Sequence, residues 1–112
     1  MVLALLTVPG ALLSVENQKE AVAIKKLGPM VEQPWGTEIE VSVSGLVPGR
    51  PYRLMTADAD GHRVAAGSIE VAERRPVRAR LVSAQRRHVI TSLLVESRPG
   101  EVIAVLAVPY HG

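Results

Sequence analysis

Few side chains in this sequence have the type and spacing that acid–base or metal chemistry requires. The three histidines are His62, His88 and His111, and no two have the i, i+2 or i, i+4 spacing that puts two metal ligands on one face of a strand or helix. Asp58 and Asp60 form an Asp-x-Asp-Gly segment, which lacks the further oxygen ligands and the later Glu of a calcium loop. We therefore expect no enzymatic activity, no bound metal and no cofactor.

Composition narrows the chemistry further. The chain has no cysteine, which excludes disulfide scaffolds and thiolate metal sites, and it has neither a Gly-rich phosphate loop nor a nucleophile elbow. Its 112 residues fit one domain. Because the sequence is 47% hydrophobic but has no Phe, the core has to be built from Val, Leu, Ile and Ala.

The elements that must position these residues are strands. In residues 37–44 (TEIEVSVS), apolar and polar residues alternate with the period of a half-buried strand. Further strands are predicted at residues 21–27, 50–57, 63–71, 76–83, 89–96 and 101–108. The last of these is nearly all apolar, which predicts a central strand covered on both faces. Asp-Gly and Pro-Gly turns separate several of the segments.

Six or seven strands at roughly 8–12-residue spacing, with no convincing helix, predict an all-β fold. The expected architecture is an immunoglobulin-like antiparallel β-sandwich, and a small β-barrel is the alternative. The expected organisation is an apolar segment at residues 1–15, a linker or first strand at 16–28, and the sandwich at 29–112.

The apolar run at residues 2–15 (VLALLTVPGALLSV) is too short to cross a bilayer alone, because a spanning helix needs about 20 apolar residues. Three interpretations remain. The run is the C-terminal end of a transmembrane helix, an edge strand or core segment, or a signal peptide without a basic start and a small-residue cleavage site.

A second compositional feature is an arginine cluster without acidic residues. It comprises Arg74, Arg75, Arg78, Arg80, Arg86 and Arg87. Arg78 and Arg80 alternate with apolar residues, so the simpler interpretation is the solvated face of a strand and its loops. The alternative is a face for an anionic partner. Nucleic acid is not expected, because no aromatic residue lies between Arg63 and Arg98 to stack on bases.

Residues 35–68 carry a series of short motifs in a fixed order. They are Trp35-Gly36-Thr37, Gly45-Leu46-Val47-Pro48-Gly49, Tyr52-Arg53-Leu54, Asp60-Gly61-His62-Arg63 and Ala66-Gly67-Ser68. With the strand pattern that continues to residue 108, this series resembles the extracytoplasmic domain of actinobacterial membrane-anchored anti-sigma factors of the zinc-finger type. Ile69 stands where that family commonly has Trp.

The resemblance implies a regulatory function. In that family a cytoplasmic zinc-binding domain holds an extracytoplasmic-function sigma factor, a transmembrane helix follows, and an outer β domain receives the signal. The zinc-binding domain is not in this sequence, so a sigma factor is expected only through a domain outside it. The implied location is the cell membrane, with the β domain outside and a protein or envelope ligand as its partner. The alternative function is a stand-alone envelope module that binds through the arginine face.

The motif residues also have simple structural interpretations. Trp35, the sole Trp, is expected to be buried as a plug at one end of the sandwich. Tyr52 is expected to bury its ring and keep its hydroxyl at the rim. Gly36, Gly45, Gly49 and Gly61 are expected at turns or bulges, and Gly67 at a bulge or a close backbone approach.

Overall fold

The computed structural model describes residues 22–109, and this part of the chain consists of strands and their connections. In chain order the strands are β1 (Ala23–Lys26), β2 (Val31–Gln33), β3 (Gly36–Ser44), β4 (Tyr52–Ala57), β5 (Arg63–Ile69), β6 (Val77–Ser83), β7 (Ser92–Arg98) and β8 (Glu101–Ala107). A short 3-10 turn, Arg87–Val89, lies between β6 and β7. The predicted all-β class is confirmed.

The first sheet is built around β3, the strand with the clearest alternation in the sequence. β6 pairs along one side of β3, while β1 and β2 pair with its two halves on the other side, all antiparallel. Gly28-Pro29 separates β1 from β2, although the Leu27 amide still donates to the Glu40 carbonyl at 2.8 Å. β1 and β2 are therefore one interrupted edge strand, so the sandwich has seven strands by this count.

The second sheet has the order β5-β4-β7-β8, again antiparallel. The register between β4 and β5 shifts after Leu54, opposite the Ala65–Gly67 stretch, so a bulge lies beside Gly67. A glycine inside a strand commonly marks such an irregularity.

The expectation that residues 101–108 form a central strand is wrong, because β8 is an edge strand and Val105 is 60% exposed. Its apolar composition has another cause. Leu106 packs toward the sandwich core, whereas Val102 packs against a small apolar cluster of Met55, Ala57 and Leu94.

The core lies between the sheets. Ile39, Val41 and Val43 of β3 meet Leu93 and Val95 of β7 there, all almost completely buried. The core is largely aliphatic, as the lack of Phe requires, with Met30 and Tyr52 as its largest other members.

The apolar run at residues 2–15 lies outside the described residues, as does His111. Within residues 22–109, no helix has the length and hydropathy needed to cross a bilayer.

Candidate functional site

The connections between strands gather at two ends of the sandwich. Residues 34–35, 58–62 and 84–91 form one end, called here the Trp35 end. Arg86 donates to the carbonyl of Pro34 and Gln85 to that of His62, which ties these three connections together. The loops at residues 45–51, 70–76 and 99–100 form the other end, called the Val22 end because the chain enters β1 there.

Trp35 is not buried, so the expectation that it plugs the sandwich is wrong. Its exposed fraction is 48%. The reason is the tight turn between β2 and β3, which pairs Gln33 with Gly36 and leaves Pro34 and Trp35 as the two turn residues beyond the sheet. The buried residues at this end include the polar side chains of Thr37, Thr56 and Ser83 as well as Ile90.

We expect Trp35→Ala to change stability little. A half-exposed turn residue contributes far less than a core residue, so the expected loss is about 1 kcal/mol or less. Leu54→Ala is the matched control, because Leu54 is fully buried and its loss costs about 2–5 kcal/mol. Thermal unfolding of the two variants checks this, and equal losses would contradict the exposed position of Trp35.

A closed ring of hydrogen bonds occupies the interior of the Trp35 end. Thr56 of the second sheet donates to Oε1 of Gln85 at 2.7 Å, and the Gln85 amide donates to Oγ of Ser83 at 3.0 Å. The Thr56 and Ser83 hydroxyl oxygens are 2.6 Å apart. Because Thr56 has one hydroxyl proton and donates it to Gln85, Ser83 must donate to Thr56. The ring joins the two sheets through side chains that are fully buried at Thr56 and Ser83.

Gly36 and Thr37 of the first motif fix the strand beside this ring. A Cβ at Gly36 would lie 2.0 Å from the carbonyl oxygen of Ser83 and 2.9 Å from the Cα of Ala84, and its φ is +154°. Thr37 is fully buried and donates its hydroxyl to the Gln85 carbonyl at 2.7 Å. Both residues are therefore needed for packing.

Tyr52 has the arrangement expected from the sequence. Its ring is buried, and its hydroxyl accepts a hydrogen bond of 2.9 Å from the Val47 amide. This bond holds the 45–51 loop against β4. The other motif residues lie in turns and strands: Gly45, Pro48 and Gly49 in that loop, Leu54 in the core, Asp60 and Gly61 in the hairpin turn, and Gly67 and the exposed Ser68 in β5.

Asp58, Asp60 and His62 bring three potential ligand atoms within 4.8 Å of one another. The hairpin itself accounts for them. Oδ1 of Asp58 accepts the backbone N–H groups of Asp60 and His62, and its Oδ2 lies 3.2 Å from the His62 ring. The backbone bond from His62 is the main reason that the pKa of Asp58 lies below its usual value. These groups fold the turn rather than converge on an enclosed site.

The six arginines of the cluster fall into three separate places. Arg74 and Arg75 lie in the 70–76 loop, Arg78 and Arg80 on the outer face of β6, and Arg86 and Arg87 at the Trp35 end. All except Arg74 are in ion pairs: Arg75 with Glu73, Arg78 with Glu40, Arg80 with Glu38, and Arg86 and Arg87 with Glu32. The cluster is therefore largely neutralised by neighbouring glutamates within the described part of the chain.

A buried carboxylate that no motif of the sequence indicates lies on the outer face of the second sheet. Glu96 is 3% exposed, and its Oε2 lies 3.1 Å from Nη1 of Arg63. Nε of Arg53 lies 3.9 Å from the other oxygen. Strand alternation places Leu94 and Glu96 on the same outer face, but it does not indicate that the carboxylate is buried there.

A cavity of about 450 Å³ opens at the Val22 end. Val22, Val47 and Ile103 give it apolar walls, and Arg50 and Arg98 lie at its polar side. The first strand enters the fold beside this cavity, because Val22 is one of its lining residues.

Comparisons of this chain with protein-family models, with curated proteins and with solved structures found no match. The family suggested by residues 35–68 therefore depends on the motif residues themselves.

Proposed function

We propose that this chain is the extracytoplasmic regulatory domain of an anti-sigma factor that controls an extracytoplasmic-function sigma factor. The observation that carries the proposal is the ordered series of motifs at residues 35–68. In the structure this series runs without interruption through β3, β4, β5 and the turns around them. Within residues 22–109, neither a hydrolytic nor a metal-dependent activity has a comparable arrangement of residues in its favour.

Trp35 supports a binding role within this proposal. Gly36, Thr37 and Tyr52 are explained by packing and hydrogen bonding. Trp35 is different, because the fold leaves about half of its side chain in contact with solvent. Exposed Trp side chains are enriched at protein interfaces, where they bury a large apolar area.

The proposal also orients the domain. The chain enters the sandwich at the Val22 end, so a membrane helix that precedes residue 22 would place this end toward the bilayer. The Trp35 end then points away from the membrane and faces incoming ligands or proteins. The signal would reach the sigma factor through the helix, after ligand binding or after cleavage of an exposed loop.

The 70–76 loop is the segment best suited to cleavage. Residues 72–76 are all exposed, and the loop is anchored at Val71, whose carbonyl accepts the Gly49 amide at 3.0 Å. Trypsin does not cut before proline, which protects Arg50, Arg75 and Arg98. Arg86 and Arg87 are held by hydrogen bonds or ion pairs to residues 32–34, so within residues 22–109 we expect the first tryptic cut after Arg74. Mass spectrometry of the fragments checks this, Arg74→Gln should delay the cut, and a first cut inside a strand would contradict it.

The reading frame upstream of Met1 provides the most direct test of the function. The proposal expects it to continue in frame with the rest of a membrane helix and, before it, a His-x-x-x-Cys-x-x-Cys motif. An in-frame stop codon immediately upstream would overturn the proposal.

The location is tested separately with reporters joined to the C-terminus. Alkaline phosphatase is active only outside the cytoplasm, and green fluorescent protein exported in unfolded form does not fluoresce there. In cells that carry the native gene, we expect the alkaline phosphatase fusion to be active and the green fluorescent protein fusion not to fluoresce. The reverse pattern would contradict an extracytoplasmic domain.

A further inference from the structure

Within residues 22–109 the sandwich has four sheet edges, and three of them are protected against pairing with another strand. The β1–β2 edge carries Lys25 and Lys26 and is interrupted by Gly28-Pro29. The other edge of this sheet, β6, carries Arg78 and Arg80. The β5 edge of the second sheet has Arg63 and the bulge beside Gly67. Charged residues, proline and bulges are the usual means by which proteins prevent edge-to-edge association.

The fourth edge, β8, has little of this protection. Its sequence is EVIAVLA, with one charged residue, Glu101, at its first position. The register shifts between β7 and β8 lie in the first half of β8, and Ala104 to Ala107 pair regularly with β7. Val105, at 60% exposure, is the most exposed large hydrophobic side chain in the described part of the chain. An edge strand with a single charge at its first position is suited to adding another strand.

The surface beside β8 is also apolar. Val105 pairs with Leu94 of β7, which belongs to the outer-face cluster with Met55 and Ala57. A strand added at β8 would thus extend an apolar sheet face rather than end against charged groups.

We propose that β8 pairs antiparallel with β8 of a second copy of this chain, around a two-fold axis at Val105. A second copy offers a matching strand, because β8 is an edge strand whose one charged residue lies at its first position. With the axis at Val105, Val105 of one copy faces Val105 of the other, Ala104 faces Leu106, and Ile103 faces Ala107. No charged residues face each other in this register, and Glu101 lies at its ends, opposite Pro109.

The expected dimer is weak. Stable interfaces bury about 1,200–2,000 Å² in total, and a pair of seven-residue strands offers less than that. We therefore expect a monomer–dimer equilibrium that depends on protein concentration, in which two four-stranded sheets join into one continuous sheet.

Sedimentation of the full 112-residue chain over a range of concentrations tests the proposal. Val105→Lys puts two ammonium groups opposite each other at the axis, and like charges across a strand pair oppose pairing, so the dissociation constant should rise at least about tenfold. Val82→Lys is the matched control, because Val82 is 47% exposed on the edge strand β6, and it should leave the equilibrium unchanged. Far-UV circular dichroism establishes that both variants are folded.

Cysteine cross-linking tests the register, because the natural chain has no cysteine. In the proposed dimer, Val105→Cys brings two thiols close enough for a disulfide, so oxidation should give a covalent dimer, whereas Val82→Cys should not. A wild-type chain that stays monomeric at millimolar concentration, or equal behaviour of the two lysine variants, would overturn the proposal. So would equal cross-linking of the two cysteine variants. None of these outcomes bears on the proposed regulatory function.

Discussion

Replacing Gly36 with alanine is expected to reduce the free energy of unfolding by about 3 kcal/mol or more. The new methyl group would lie 2.0 Å from the Ser83 carbonyl oxygen and within 3.0 Å of the Ala84 backbone. Neither is a flexible side chain that can turn aside. In the variant, β3 must therefore move away from the end of β6. This movement breaks the pairing of the two strands there and disturbs the ring of hydrogen bonds that includes Ser83.

Gly28→Ala is the matched control for this prediction. No atom lies within 4 Å of a Cβ built at Gly28, and its φ is not positive, so stability should be unchanged within about 0.5 kcal/mol. For a domain of this size, 3 kcal/mol corresponds to a fall in Tm of roughly 12–24 °C. Thermal unfolding of both variants measures the difference, and similar Tm values for the two would contradict the close approach at Gly36.

Removing both arginines beside Glu96 is expected to cost about 3–5 kcal/mol, because it leaves a buried carboxylate without a cationic partner. Arg53→Met and Arg63→Met together keep most of the side-chain length while deleting both charges. Glu96 is almost completely buried, so its carboxylate depends on these two arginines rather than on solvent for charge compensation. The double variant should therefore unfold at a clearly lower denaturant concentration than the wild type.

Arg78→Met with Arg80→Met provides the control for loss of charge alone. These arginines lie on β6 and pair with Glu40 and Glu38 of the adjacent strand β3 in the first sheet, where the carboxylates remain in contact with solvent. Exposed pairs of this kind contribute about 0–1 kcal/mol each. If urea unfolding gave the same loss for both double variants, burial of Glu96 would not be the source of its effect.

The strands were predictable from the sequence wherever alternation was regular. In β3, Ile39, Val41 and Val43 fall on one face in both the sequence pattern and the structure. The short strand β2 was missed because three residues are too few to show a period. β8 was misplaced because apolar residues on both faces suggest a central strand, whereas here the outer face of the second sheet is itself partly apolar.

The site was less predictable, because it depends on partners that are far apart in the sequence. Thr56 and Ser83 lie 27 residues apart and meet only once the two sheets pack. Trp35 was expected inside because aromatic residues are usually core residues, but the turn that holds it is too tight to return it to the interior. The sequence pattern places Glu96 at the end of a strand, but its arginine partners come from β4 and β5, which meet it only in the folded sheet.

The ring of hydrogen bonds at the Trp35 end affects how the two sheets are aligned with each other. The inner faces of both sheets consist largely of Val, Leu and Ile side chains, which have similar shapes. Aliphatic packing alone therefore distinguishes poorly between two alignments of the sheets that differ by one residue pair. Sliding one sheet past the other by a residue pair would set Thr56 and Ser83 against aliphatic side chains, and each unsatisfied buried hydroxyl would then cost about 1–3 kcal/mol. The hydrogen bonds among Thr56, Ser83 and Gln85 therefore favour the one alignment of the two sheets in which all three side chains are paired.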